Sequence, residues 1–343
     1  MDRRLIALVI LCAACSGGAG SDKSSTAAAA TRDSAGGNVS VAVASSDSEP
    51  TSPSAAPSAA ALPENQMGRI PVLEYHVIGG VKNELYTRTA ASYRADLEAA
   101  YKLGYRPITV AQMLDKDFRD VPPGMSPVVF VYDDASPSQF RYVEKNGTLT
   151  IDPTSGVGIW LDFAKSHPGW KNRATYCLLN GAAAGHNFFG DNPKYDGQKK
   201  EWRFPKVKWL ADNGFELCDH TLWHMKLNQY PDAAVQEQIA RNAMGIDSAV
   251  PGYRIRTMAL PYGLWPKNRQ LAWQGSWTDP KTGQTHSYKF DAVLEVAGGP
   301  ARSPYDPQFD PKAITRVQAV GDQIVQTLTK LDQSRTRFVA KSK

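Results

Sequence analysis

The sequence predicts an α/β fold, parallel strands ringed by helices, and three observations predict it. Runs of β-branched and aromatic residues alternate with helical stretches, the order that produces parallel sheets. Two of these runs end in polar clusters: 127–132 in Asp133-Asp134, and 214–219 in His220-Thr221-Leu222-Trp223-His224. A third, 256–260, ends at the turn Pro261-Tyr262-Gly263. Polar residues where a strand gives way to a loop mark the edge on which parallel α/β proteins build their sites.

Taken in order, strands are expected at 70–75, 127–132, 174–179, 215–219 and 257–261, and a strand-like run stands at 291–296. Helices are expected at 91–103, 158–166, 203–213 and 233–248. The third helix carries Val207, Leu210 and Ala211 at helical spacing and stops at Asn213-Gly214, a C-cap signal. The fourth places Val235, Ile239, Ala243 and Ile246 on one stripe. Segments 181–197 and 275–289 are rich in Gly, Asn and Asp or interrupted by Gly and Pro, so both are expected as long loops. Cys177 and Cys218 fall on expected central strands, where buried free thiols are favoured over a disulfide.

The start of the chain has the composition of an export signal. Arg3 and Arg4 precede the apolar stretch 5–11, then Ala13, Ala14 and Cys15. That stretch is too short to span a membrane as a helix. Small residues directly before Cys15 resemble a bacterial lipoprotein cleavage site, which implies lipidation of Cys15. The lipoprotein-type signal is thus 1–15; Cys12 stands where that motif usually has Leu, so an ordinary secretory signal cleaved nearby is the alternative. Residues 16–65 are Ser, Ala, Gly, Thr and Pro with few large apolar side chains, and are expected to form a disordered tether. The remainder, 66–335, is long enough for one sizeable domain. Formal charge is +5, of which the signal supplies +1, and no block of like charges occurs, so nucleic-acid binding has no support.

The spacing of the polar residues carries the chemistry. Two His at i and i+4 face the same way across one helical turn, and a nearby carboxylate completes a His₂Asp set. Three protein ligands leave a coordination position for water, which makes such a site catalytic. With six His in the chain, an i,i+4 pair arises from composition in roughly one such sequence in ten. The pair gains weight because Asp133-Asp134 follows a strand of its own.

In this order, Tyr132-Asp133-Asp134, His220-Thr221-Leu222-Trp223-His224 and Leu260-Pro261-Tyr262-Gly263 resemble the polysaccharide deacetylases of carbohydrate esterase family 4, the NodB homology domain. Pro71-Val72-Leu73-Glu74-Tyr75-His76-Val77 and Leu103-Gly104-Tyr105-Arg106-Pro107-Ile108-Thr109 resemble the opening region of members acting on exopolysaccharides. The resemblance covers about 70–319. It implies a distorted (β/α)7 barrel and a metal-dependent hydrolase removing N-acetyl groups from an N-acetylhexosamine polymer of the envelope. Asp134, His220 and His224 would hold one divalent metal, zinc first by ligand set, and Asp133 would be the base. Tyr262 would offer its backbone N–H to the oxyanion on a turn fixed by Pro261, while Thr221 sets the His rings. His76, Trp223 and Trp265 are candidates for substrate binding. The implied partners are an acetylated polysaccharide and, through the lipid, a membrane.

Four departures stand out. Ala135 replaces the family's Gly, and Val131 its Thr. Ala259-Leu260 stand where an Arg often orients the base, and Arg256 lies upstream. The family's late His, its general acid, has no match; His286 follows His224 but lies in the expected loop, and His76 is the other candidate. A weakened carbohydrate-binding lipoprotein of the same fold and an O-acetyl polysaccharide esterase are therefore the alternative readings.

Overall fold

The computed structural model describes residues 62–181 and 186–341; the signal 1–15, Cys15 and the tether as far as 61 lie outside the described residues. Seven parallel strands form the centre: β1 Val72–Tyr75, β2 Ser126–Tyr132, β3 Thr175–Leu178, β4 Glu216–Asp219, β5 Thr257–Ala259, β6 Ala292–Gly298 and β7 Ile314–Gln318. Each pairs with the next, and β7 returns to β1 through Leu73 and Val317. The ring is closed: a (β/α)7 barrel. An eighth strand, Tyr105–Ile108, runs beside the first half of β2.

Alternation along β2 shows how the sequence builds two layers. Val128, Phe130 and Tyr132 point outward to α1 Ala90–Lys102, α2 Gly156–Ser166 and α3 Arg203–Asp212. Val129 and Val131 point inward, where Val72, Cys177, Cys218, Ala259, Leu294 and Ile314 meet them from the other strands. Period-two side chains that are apolar on both faces are what a strand between a packed interior and a helix layer requires. Thr89 caps α1 by accepting from Ser92 N at 3.1 Å, and Ser155 caps α2 by accepting from Gly158 N at 3.2 Å.

Helix α4, Asp232–Ala249, packs Val235 and Ile239 against Met258, Val293 and Tyr288 in a separate cluster. Tyr288 comes from an unexpected element. Segment 275–289, expected as a loop, is an antiparallel hairpin of Gln274–Thr278 with Thr285–Lys289. Its alternation had been masked by Gly275, Pro280 and Gly283. Also unforeseen were β7 and α5, Gln323–Gln333, which closes against α1.

Cys177 and Cys218 are joined in a disulfide, not free thiols as the sequence favoured. They are direct partners in the β3–β4 register, a relation that composition does not reveal. Both ends of the described residues also take part in the fold. Leu62 N donates to Gly124 O, Asn65 pairs with Val339, and Phe338 is buried.

Candidate metal and active site

All three motifs reach the C-terminal rim of the barrel, and each bends its backbone sharply there. Asp134, Ala135, Thr221, His224 and Tyr262 have φ of 74°, 49°, 67°, 53° and 58°. Non-glycine residues in this left-handed region carry strain that the surrounding structure must overcome, and such strain gathers at functional sites. The Gly-to-Ala departure at 135 is therefore a real one: the position does require positive φ, and Ala135 adopts it fully buried. Its carbonyl accepts from Phe189 N at 2.9 Å, and His186 Nδ1–H donates to the Asp134 carbonyl at 3.1 Å, bracing the turn from both sides.

His220 donates Nδ1–H to Ala259 O at 2.8 Å, so its Nε2 lone pair faces Asp134. That carbonyl on β5, rather than the Thr221 hydroxyl, sets the ring; Thr221 Oγ1 is buried without a hydrogen-bond partner. Asp134 Oδ1 lies 3.3 Å from His220 Nε2 and 3.4 Å from His224 Nε2. Both Asp134 Oδ1 and His220 Nε2 are buried with no hydrogen bond, which is costly unless something sits between them. Two imidazoles and a carboxylate converging on one point fit a divalent cation. Burial pushes the Asp134 carboxyl up, but the neighbouring His220, His76 and His224 rings outweigh it and hold the acid well below the usual range. His224 is pushed down to about 4 by burial and by His220.

A second group stands beside the first: Glu74, His76 and Asp133. Arg316, from β7 and fully buried, ties it together. Its guanidinium meets Asp133 Oδ2 at 2.8 Å and Glu74 Oε1 at 2.7 Å, and Nε donates to Glu295 O at 2.6 Å. Burial would raise the Asp133 pKa, yet Arg316 first, then His220 and His76, bring it below the ordinary value. Glu74 goes the other way, up to about 8, through burial and the Asp133 charge, against which the Arg316 attraction falls short. His76 Nε2 is 3.9 Å from Glu74 Oε1, and burial lowers its pKa. Sequence reasoning missed Arg316. The signal was slight: Ile314-Thr315-Arg316-Val317-Gln318 alternates with only two large apolar residues, too few to identify a strand. Arg256 pairs with Asp115 and Asp291 near the start of β5, away from this rim.

The two groups line one cavity of about 130 Å³, with Tyr86, Tyr262, Leu260 and Val296 as its remaining walls. Tyr262 is half-exposed, its ring centroid 4.3 Å from that of His224, and Pro261 is buried in the turn beneath it. His76 reaches this cavity; Trp223, Trp265 and His286 do not line it. Trp223 is exposed with its backbone N–H held by Gln238, and Trp265 donates to Glu295 while Arg269 stacks on its face. His286 sits on the hairpin against Trp277, lining a groove with α4. Tyr86 was not foreseen.

Residues 171–274 match the family model described as polysaccharide deacetylase, a span that includes the His motif and the Pro-Tyr-Gly turn but not the two Asp residues. No curated protein matches the chain in sequence. Among solved structures, the Streptococcus pyogenes deacetylase PplD, in complex with acetate, is similar at TM-score 0.53 and 13% identity, covering 77% of this chain and 98% of that one. A polysaccharide deacetylase from Bacillus cereus is similar at TM-score 0.52 and 14% identity, covering 78% and 69%. At such identities these likenesses speak for the fold. The chain thus has the barrel fold seen in these deacetylases, and within it residues 171–274 match the polysaccharide deacetylase family model.

Proposed function

We propose that this chain is a divalent-metal N-deacetylase of an N-acetylhexosamine polymer, exported and held at the bacterial envelope by a lipid on Cys15. The observation that carries the reading is the pairing of two groups in one cavity. Asp134, His220 and His224 converge with orphaned atoms, and Asp133 stands beside them, held ionised by Arg316. Zinc is the first choice for a His₂Asp set.

A bound metal would polarise the acetyl carbonyl and lower the pKa of water. The protein's own groups do the rest. Asp133 accepts the proton of the attacking water at a carboxylate oxygen. Arg316 fixes that carboxylate through Nη1 and keeps it charged in a buried setting. Tyr262 offers its backbone N–H to the developing oxyanion from the turn that Pro261 starts. His76 passes to the leaving nitrogen the proton that Asp133 has taken from water, replacing the absent late His; its ring shares a cluster within 4.8 Å with Asp133 and Glu74. His286 has no part in this step, because the hairpin that bears it packs on α4.

The test is acetate release from a panel of N-acetylated and O-acetylated glycans, with bound metal measured on the same sample. Release from N-acetyl substrates with about one equivalent of metal supports the reading. Release from O-acetyl substrates alone would make the chain an esterase, and binding of glycan and metal with no acetate from either would make it a binding protein.

A further inference from the structure

Tyr86 is large, 44% exposed and left-handed at φ 67°, three properties that folding alone does not favour in one residue. A short ladder enforces its conformation. Val77 N donates to Tyr86 O at 3.0 Å, Glu84 and Thr87 exchange backbone bonds at 3.0 and 3.1 Å, and Gly79 N donates to Arg88 O at 2.8 Å. Arg88 is in turn locked to buried Asp96 on α1 at 2.6 Å. The strap from Gly79 to Arg88 is thus clamped at its base, and it presents Tyr86 at the mouth of the catalytic cavity. There the ring stands edge-on to His76 with centroids 4.6 Å apart. Tyr262 stands over His224 in the same cavity, also half-exposed and also at positive φ. One aromatic therefore flanks the group that holds the base, and the other flanks the metal ligands.

We infer that Tyr86 is a substrate-positioning residue: its exposed ring face stacks on the apolar face of a sugar ring, so that the ring's acetamido group reaches down between His76 and His224. This inference rests on the deacetylase reading above and adds to it the element that selects a pyranose ring over a bare acetamide or acetate ester. Strain in the backbone and a half-exposed aromatic ring are costs a purely structural residue would not keep, since glycine would fit the turn and no core depends on the side chain. A polysaccharide is the occupant because the cavity below already carries hydrolytic chemistry, and sugar rings offer the apolar face that an aromatic wall accepts.

The experiment measures calorimetric affinity for an N-acetylhexosamine oligomer and kcat/KM for that oligomer and for a small aryl acetate, on the metal-loaded chain. Tyr86→Ala and Tyr86→Gly should weaken oligomer binding about tenfold, or about 1.4 kcal/mol. Both should lower the ratio of oligomer to aryl acetate kcat/KM by a similar factor. Tyr86→Phe should restore affinity, since the ring and not the hydroxyl does the stacking. Tyr86→Gly should retain its Tm because it relieves the left-handed strain. Val81→Ser, on the same strap but off the cavity wall, should leave affinity unaltered. Unchanged oligomer affinity in Tyr86→Ala, or an equal fall for oligomer and aryl acetate, would overturn the inference. Failure of the deacetylase reading looks different: wild-type protein would bind oligomer through Tyr86 and release no acetate.

Discussion

Removing Arg316 should disable the base and destabilise the fold together, because one guanidinium serves both ends. In Arg316→Met, Asp133 and Glu74 lose contacts of 2.8 and 2.7 Å and face each other buried, while Glu295 O loses a 2.6 Å donor. Breaking a buried ion pair by deleting one partner costs about 3–5 kcal/mol. The catalytic loss follows from charge. Arg316 is the largest influence holding Asp133 below its ordinary pKa, so without it burial drives the acid upward. A disabled general base costs roughly 10²–10⁴ in kcat/KM. The sign is fixed: the acid limb of the pH–rate profile moves to higher pH, and part of the lost activity returns under alkaline conditions. Arg316→Lys should fall between the two, since an ammonium retains charge but cannot grip two carboxylates and a carbonyl. Arg316→Met with Asp133→Asn should recover stability, because the uncompensated buried carboxylate is gone. Urea midpoints and pH–rate profiles check all three variants. An Arg316→Met protein with kcat/KM within twofold of wild type and an unmoved acid limb would refute the argument.

Other expectations follow from single residues. His76→Gln should slow N-acetyl hydrolysis by roughly 10²–10⁴ and ester hydrolysis far less, whereas His286→Gln should alter neither, as acetate release on both substrates will show. His224→Ala should sharply reduce bound metal, read by elemental analysis, because it removes one of three ligands. Metal-free protein should lose stability as pH falls from about 6.5 to about 4, since the unfolded chain takes up a proton there that folded His224 refuses; urea midpoints against pH give the slope. Replacing both Cys177 and Cys218 by Ala should cost about 4 kcal/mol on the chain-entropy account for a separation of 41 residues, measured by the same titration.

The sequence made the residues of the candidate site legible because short-range order encodes them. Asp133-Asp134, His220 with His224, and Pro261-Tyr262 each follow their strand directly, so pattern and position suffice to locate them. Helices α1 to α4 and most of the strands were legible for the same reason, whereas β7 and α5 were not. What pattern could not reach depends on register and long-range closure. Arg316 meets Asp133 across 183 residues, from a strand whose charged centre hides it. The partnership of Cys177 with Cys218 is a matter of register. Tyr86 gives no signal in sequence, because only the clamped strap turns it toward the cavity.

Acetate release by the metal-loaded chain and by Asp133→Asn tests the central claim most directly. Asn keeps the side chain's volume and its place against Arg316, but it cannot take a proton from water. Wild type should release acetate from an N-acetylhexosamine oligomer, and Asp133→Asn should retain its metal while losing at least roughly 10²-fold in rate. A variant that keeps both its metal and its rate would contradict the account.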